Sequence, residues 1–232
     1  MVQQKPKPKT RRTRTKHDYD KKSLVLEPLN DKQGEYIQAL DSGEQVVVFG
    51  PAGTGKTYVV STYAANLYHT KQVNKIVITR PHVAVGKDIG FLKGSLEEKC
   101  APWALPVLDV LEKHLGKGAV ETGLKNGNIE IAPLALMRGR SFDNAFVICD
   151  ESQNITFHEI KMLVTRMGEG SKLVLNGDIQ QSDLKESDGL TKVVHLVKKY
   201  MLPVPIVEFT TDDIVRSGMT KMWVETFVKE GL

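Results

Sequence analysis

The chain has 232 residues, a length suited to one α/β domain, and its 41% hydrophobic and 26% charged residues are typical of a soluble globular protein. Its formal net charge of +4 permits nucleic-acid binding without demonstrating it. The sequence has no apolar run of about 18 residues, no apolar N-terminal signal and only two cysteines, which excludes a transmembrane helix, a secretory signal and a disulfide framework and favours a cytoplasmic protein.

Residues 1–22 are predicted to form a basic, disordered tail, and residues 23–232 the folded domain. Seven of the tail's nine Lys and Arg residues crowd between positions 5 and 16 with almost no large apolar side chain: Lys5, Lys7, Lys9, Arg11, Arg12, Arg14 and Lys16. Such a segment cannot bury enough surface to offset the entropy lost on ordering. Two interpretations stay open, an electrostatic arm for nucleic acid and a solvated leader without that role.

A helix is predicted over 28–40, with Asn30 as its cap and an apolar stripe along one face. Gln33 lies one turn into this helix and resembles the glutamine with which helicases recognise adenine. A side-chain amide can donate and accept hydrogen bonds on the adenine edge at once. The alternative is an ordinary glutamine that faces solvent.

A phosphate-binding loop is predicted between an apolar strand at 45–49 and a helix that begins near Lys56. The pattern is a Gly, four free positions, then Gly-Lys-Ser/Thr, and its residues are Gly50, Pro51, Ala52, Gly53, Thr54, Gly55, Lys56 and Thr57. The glycines allow backbone N–H groups to approach phosphate oxygens, and the helix N-terminus adds further donors. Lys56 is placed to reach the β- and γ-phosphates and Thr57 to bind Mg²⁺. The alternative is a glycine-rich turn that binds nothing.

The rest of the chain alternates between further predicted strands and helices. Apolar, β-branched runs predict strands at 75–79, 128–132, 145–149, 171–176 and 205–209. Helices are predicted at 102–114, 157–167, 189–200 and from 213–216 to about 229. Glycines predict a mobile loop over 116–127. Arg138 and Arg140 would bind nucleic acid or cap a carboxylate, and the second is favoured for at least one of them.

An acidic pair follows the strand at 145–149. Asp150 at the end of this strand is placed to hold Mg²⁺, and Glu151 to orient and deprotonate an attacking water. Asp178 and Gln181 follow the next strand, in the crevice where parallel sheets bind ligands, and are predicted to sense the γ-phosphate.

Eight motifs occur in the order and spacing of the PhoH family, which the chain resembles from about Pro28 to Phe227. They lie at 50–57, 80–81, 90–94, 129–134, 137–140, 150–154, 177–183 and 213–216. The resemblance implies a single RecA-like P-loop NTPase domain, α/β with a mostly parallel sheet, that uses ATP and Mg²⁺ in RNA metabolism. Ser152 departs from the usual Ala of the family. Some relatives carry a PIN nuclease domain, for which 232 residues leave no room, so we expect no nuclease activity.

The sequence leaves two functions open. The first is an ATPase that binds or remodels RNA or single-stranded nucleic acid, whose hydrolysis would be stimulated by nucleic acid. The second is an ATP-dependent switch or scaffold that acts on a protein partner. A small-molecule kinase is less favoured, because the acidic pair followed by Gln153 fits water activation better than a phosphoryl acceptor.

Arg216 matches an arginine motif of the family and is predicted to act as an arginine finger on the γ-phosphate. Because one core domain is present, the sequence favours a neighbouring subunit as the recipient, in a head-to-tail ring that is most simply a hexamer. The alternative is a local ion pair with Asp212 or Asp213.

Overall fold

The computed structural model describes residues 25–81, 96–179 and 189–230. The basic tail, the motif at 90–94, Gln181 and Asp183 therefore lie outside the described residues. Across the described ranges, no helix is long and apolar enough to cross a membrane.

One parallel sheet forms the centre of the domain. Within the described residues its strands are β1 (Gln45–Phe49), β2 (Lys75–Thr79), β3 (Ile129–Ile131), β4 (Ala145–Cys149), β5 (Lys172–Gly177) and β6 (Ile206–Glu208). Their spatial order is β3-β2-β4-β5-β1-β6, and every neighbouring pair is parallel. The predicted α/β fold with a parallel sheet is confirmed.

Helices cover both faces of this sheet. Their described bounds are α1 (Asp31–Ser42), α2 (Lys56–His69), α3 (Leu96–Leu115), α4 (Lys117–Lys125), α5 (Phe157–Val164), α6 (Gly189–Tyr200) and α7 (Gly218–Glu230). Alternate residues of β1 face opposite ways, so Val46 and Val48 join the core beneath α1–α3 while Val47 and Phe49 join the core beneath α5 and α6. Burial on both faces explains why the strands are continuous apolar runs.

The strand order brings three loops together at one edge of the sheet. β5 lies between β1, which precedes the phosphate loop, and β4, which ends at Asp150. The chain reaches Asp178 directly after β5. Because parallel strands end at the same edge, residues far apart in sequence line a single crevice there.

The prediction of a loop over 116–127 is wrong, because α4 occupies most of it. Val120 and Gly123 are the buried residues of this helix. Gly123 lies so close to β3 that an added Cβ would come 2.8 Å from Ile129 Cδ1. A glycine weakens an isolated helix but allows this one to pack closely on its neighbour. Packing therefore overrides the local preference that predicted a loop.

The prediction that residues 213–216 open the terminal helix is also wrong. A 3₁₀ turn spans Thr211–Asp213, and α7 begins only at Gly218. The Asp213 carboxylate accepts hydrogen bonds from the backbone N–H and the hydroxyl of Thr210, which closes the turn. Val215 and Arg216 consequently lie in a loop rather than in a helix.

One of the two arginines after β3 caps a carboxylate, as predicted. Arg140 Nη1 and Nη2 donate to Glu130 Oε1 and Oε2 at 2.5 and 2.8 Å, and Lys75 Nζ lies 3.0 Å from Oε2. The hydrogen bonds from Arg140 lower the pKa of Glu130. Arg138 is exposed to solvent.

Candidate active site

The phosphate loop turns tightly between β1 and α2 through glycines that adopt positive φ. Gly50 and Gly55 have φ of 141° and 86°. A Cβ at Gly50 would lie 2.3 Å from Phe209 O, and one at Gly55 would lie 2.6 Å from Gln33 Nε2. Both positions therefore require glycine for conformation and for space.

Lys56 begins α2 and reaches back across the loop. Its ammonium donates to Gly50 O at 2.7 Å and to Pro51 O at 2.9 Å. Burial lowers the pKa of Lys56, while the charges of Asp178 and Asp150 act in the opposite direction. The ammonium is thus held at the mouth of the loop, where it would meet a phosphate oxygen.

Thr57 and Asp150 meet at the sheet edge, together with a residue that the sequence did not single out. The Thr57 hydroxyl lies 3.4 Å from Asp150 Oδ1. Asn176, near the end of β5, donates from Nδ2 to Asp150 Oδ1 at 2.6 Å and to Thr57 Oγ1 at 3.1 Å. The sequence feature that could have pointed to Asn176 is a polar residue at the carboxyl end of an apolar parallel strand.

The chemistry of these donors fits a magnesium ion. A hydroxyl and a carboxylate are the hard oxygen donors that Mg²⁺ prefers. Burial raises the pKa of Asp150 to about 6, and the charge of Glu151 acts in the same direction. A divalent cation would supply the positive charge that this buried carboxylate lacks.

Glu151 is held in place by a second buried amide. Its backbone adopts a left-handed conformation with φ of 52°. Gln153, which is 2% exposed, donates from Nε2 to Glu151 Oε2 at 2.7 Å and accepts from the Asp178 backbone N–H at 3.0 Å through Oε1. Gln153 therefore connects the acid after β4 to the chain after β5.

Gln33 lies behind the loop rather than facing solvent. Its side-chain Nε2 donates to Thr54 O at 2.9 Å, and its Oε1 accepts from the Leu29 N–H at 2.9 Å. The predicted cap is present, since the Gln33 backbone N–H donates to Asn30 Oδ1 at 2.8 Å. The solvent-facing alternative is wrong, because Gln33 is only 3% exposed.

The segment before α7 covers the other side of the loop. The backbone N–H of Val215 donates to Gly53 O at 3.1 Å. Arg216 packs so closely there that a Cβ on Gly53 would lie 3.2 Å from Arg216 Cδ. Among the described residues no ion pair joins Arg216 to Asp212 or Asp213. Arg216 thus lies against the phosphate loop of its own chain.

These groups surround one cavity of about 460 Å³. Cationic and acidic side chains both line it, Lys56 and Arg216 among the cations and Asp150 and Glu151 among the acids. Tyr58 from α2 and two residues of α3 add a less polar wall. A volume of this size is typical of small-molecule and cofactor sites.

A family model described as PhoH-like protein matches residues 25–228. The chain belongs to the PhoH family. It is 40% identical over 200 residues to the PhoH-like protein of Bacillus subtilis strain 168, covering 85% of this chain and 62% of that relative. It is 39% identical over 202 residues to Protein PhoH of Escherichia coli strain K12, covering 85% of this chain and 57% of that one. This PhoH-family chain therefore spans about three fifths of the length of such relatives.

The fold of the PhoH-family chain also resembles that of a solved viral protein. The large terminase from a thermophilic bacteriophage aligns with a TM-score of 0.54 at 15% identity, covering 88% of this chain and 50% of that one. At this identity the likeness concerns the fold alone.

The PhoH-family structure brings most of the predicted site residues to one place. The cavity is lined by Ala52, Gly53, Gly55, Lys56, Thr57, Asp150, Glu151 and Arg216, while Gln33, Gly50, Pro51 and Thr54 are buried and do not line it. Asp178 lines the same cavity, and Gln181 lies outside the described residues. Asn176 and Gln153 are the polar residues whose contacts sequence reasoning missed.

Proposed function

We propose that this PhoH-family chain hydrolyses ATP with Mg²⁺ and couples hydrolysis to the binding or remodelling of RNA or single-stranded nucleic acid. The observation that supports hydrolysis is the convergence of Lys56, Thr57, Asp150 and Glu151 on one cavity. A lysine, a metal-binding hydroxyl and two acids are the groups that phosphoryl transfer to water requires.

Each group has a distinct proposed role in holding the nucleotide. The N–H groups of the loop and Lys56 bind the phosphates. Thr57 and Asp150 hold Mg²⁺, which when bound supplies positive charge to the phosphate oxygens. Glu151 accepts a proton from the attacking water, and the hydrogen bond from Gln153 keeps its carboxylate oriented.

The choice of ATP rests on the family resemblance and on Gln33. Its amide can make four hydrogen bonds, and two are made to Thr54 O and the Leu29 N–H. One donor and one acceptor position remain, and an adenine edge would reach them only if this amide, which is 3% exposed, became accessible. We accordingly keep Gln33 as the proposed adenine contact and Gln181 as the proposed γ-phosphate sensor.

Replacing Lys56 with Ala is expected to weaken ATP binding by about tenfold or more, the scale of losing hydrogen bonds from a charged group. The measurement is titration with a fluorescent ATP analogue in the presence of Mg²⁺. Lys125, exposed at the end of α4, provides a matched control, and Lys125→Ala should bind like the unaltered protein. Equal affinities for the Lys56 and Lys125 variants would contradict the phosphate-binding role.

Nucleic-acid coupling is supported by the basic tail and by the family resemblance. The competing proposal is an ATP-dependent switch or scaffold that acts on a protein partner. The two differ in one observable, because RNA should accelerate ATP turnover only in the first. The experiment is ATP turnover with and without a panel of RNA and DNA strands.

Deleting residues 1–22 is expected to weaken RNA binding and to flatten its dependence on salt, because fewer phosphates are then neutralised. ATP binding should stay the same. A full-length control in which all nine Lys and Arg residues of the tail are replaced by Gln should behave like the deletion. An unchanged affinity and salt slope would leave only the disordered-leader interpretation.

A further inference from the structure

Asn176 has an unusual environment for a strand residue. It is 1% exposed and lines the cavity at the carboxyl end of β5. Its Nδ2 donates to Asp150 and Thr57, whereas its Oδ1 is buried without a hydrogen-bond partner among the described residues. A buried carbonyl oxygen without a donor is costly, so its place beside the proposed metal-binding groups calls for an explanation.

The orientation of this amide follows from its neighbours. If the amide were flipped, Oδ1 would face Asp150 Oδ1 at 2.6 Å, and two acceptors would repel each other there. The ionised carboxylate of Asp150 therefore fixes Nδ2 toward itself. Oδ1 is therefore the atom without a hydrogen-bond partner among the described residues.

The missing partner is a hydrogen-bond donor or a cation, because a carbonyl oxygen accepts either. Phosphate oxygens of a nucleotide bound at neutral pH are acceptors, so they cannot satisfy Oδ1. Water can, and Mg²⁺ characteristically keeps several of its waters when a protein holds it through one or two side chains. A water bound to the metal is thus the donor whose chemistry fits this place.

We propose that Asn176 is a positioning residue of the magnesium site, in which Nδ2 fixes Asp150 and Thr57 while Oδ1 accepts a hydrogen bond from a metal-bound water. This inference rests on the proposed function, because it assumes that the cavity binds a nucleotide with Mg²⁺. Partners of this kind orient the groups that hold a metal and strengthen metal binding through them.

Two variants of Asn176 separate this role from packing. Asn176→Leu keeps a similar volume but removes both the donor and the acceptor. Asn176→Thr keeps a side chain that can both donate and accept a hydrogen bond and that suits a strand. Thr79 provides the matched control, because it is fully buried at the end of β2, its hydroxyl has no hydrogen-bond partner in the part of the chain that the structure describes, and it does not line the cavity.

The measurement is the affinity for ADP as a function of magnesium chloride concentration, together with affinity in EDTA. For Asn176→Leu we expect unaltered ADP binding in EDTA. Mg²⁺ tightens ADP binding, and the Mg²⁺ concentration that gives half of this effect should rise by about tenfold or more in the variant. Asn176→Thr should require an Mg²⁺ concentration close to that of the unaltered protein. Thr79→Val should follow the unaltered protein in both conditions.

Each outcome has one meaning. A raised Mg²⁺ requirement in Asn176→Leu alone supports the proposal, and Asn176→Ala, which also lacks both groups, takes the place of the Leu variant if that variant fails to fold. An unaltered Mg²⁺ requirement in Asn176→Leu, or an equal rise in both variants, overturns it while the proposed function stands. If Mg²⁺ does not tighten ADP binding even in the unaltered protein, the magnesium-dependent function fails and this inference with it.

Discussion

Replacing Glu151 with Gln is expected to reduce ATP turnover by about 100-fold or more, the scale of losing a positioned general base. The amide keeps the shape of the side chain and can still accept the hydrogen bond that Gln153 donates at 2.7 Å. Lys56, Thr57 and Asp150 are untouched, so ATP binding should be retained. Phosphate release and equilibrium nucleotide binding, measured on the same preparation, check both parts.

Glu121 offers a control for this substitution, since it is exposed on α4 away from the cavity. Glu121→Gln should turn over ATP like the unaltered protein. Turnover by Glu151→Gln at the unaltered rate would show that the acid after Asp150 does not activate the water. Loss of nucleotide binding in the same variant would instead assign Glu151 a structural role.

Replacing Arg216 with Ala is expected to reduce ATP turnover by about a thousandfold, the lower end of what an arginine finger contributes. Nucleotide binding should change much less, because the finger acts on charge that develops during transfer. Steady-state turnover and nucleotide titration are the two measurements. Arg138→Ala, an exposed arginine outside the cavity, is the matched control.

A mixing experiment shows whether Arg216 acts on the nucleotide of its own subunit or on that of a neighbouring subunit. The ring predicted from sequence requires Arg216 to act on a neighbour, so mixing Arg216→Ala with Glu151→Gln subunits would restore some activity. The position of Arg216 against Gly53 of its own chain favours action within one subunit. We therefore expect no restoration, and recovered turnover in the mixture would contradict this expectation. The hexamer itself stays a prediction, which sedimentation of the full chain tests.

The sheet was predictable because its four central strands, β1, β2, β4 and β5, are buried on both faces and form apolar runs that stand out from polar surroundings. β1, β2 and β4 match their predicted bounds, and the others differ by a residue at either end. α4 was missed because local preference favours a turn, whereas the close contact of Gly123 with Ile129 is visible only in three dimensions. Boundaries that depend on such contacts cannot be obtained from periodicity.

The phosphate loop and the acidic pair were identifiable because the residues of each are adjacent in sequence. Asn176 was not, since its role depends on β5 lying between β1 and β4, which places it beside Thr57 and Asp150. Gln153 likewise acquires its role from the fold, through the Asp178 N–H after β5. The position of Arg216 follows from the loop that replaces the predicted helix turn.

Phosphate release from ATP by the full chain with Mg²⁺, with and without single-stranded RNA, tests the central claim most directly. We expect phosphate release that RNA accelerates and that Glu151→Gln suppresses both with and without RNA. ATP that binds but is never cleaved, with or without RNA, would contradict it.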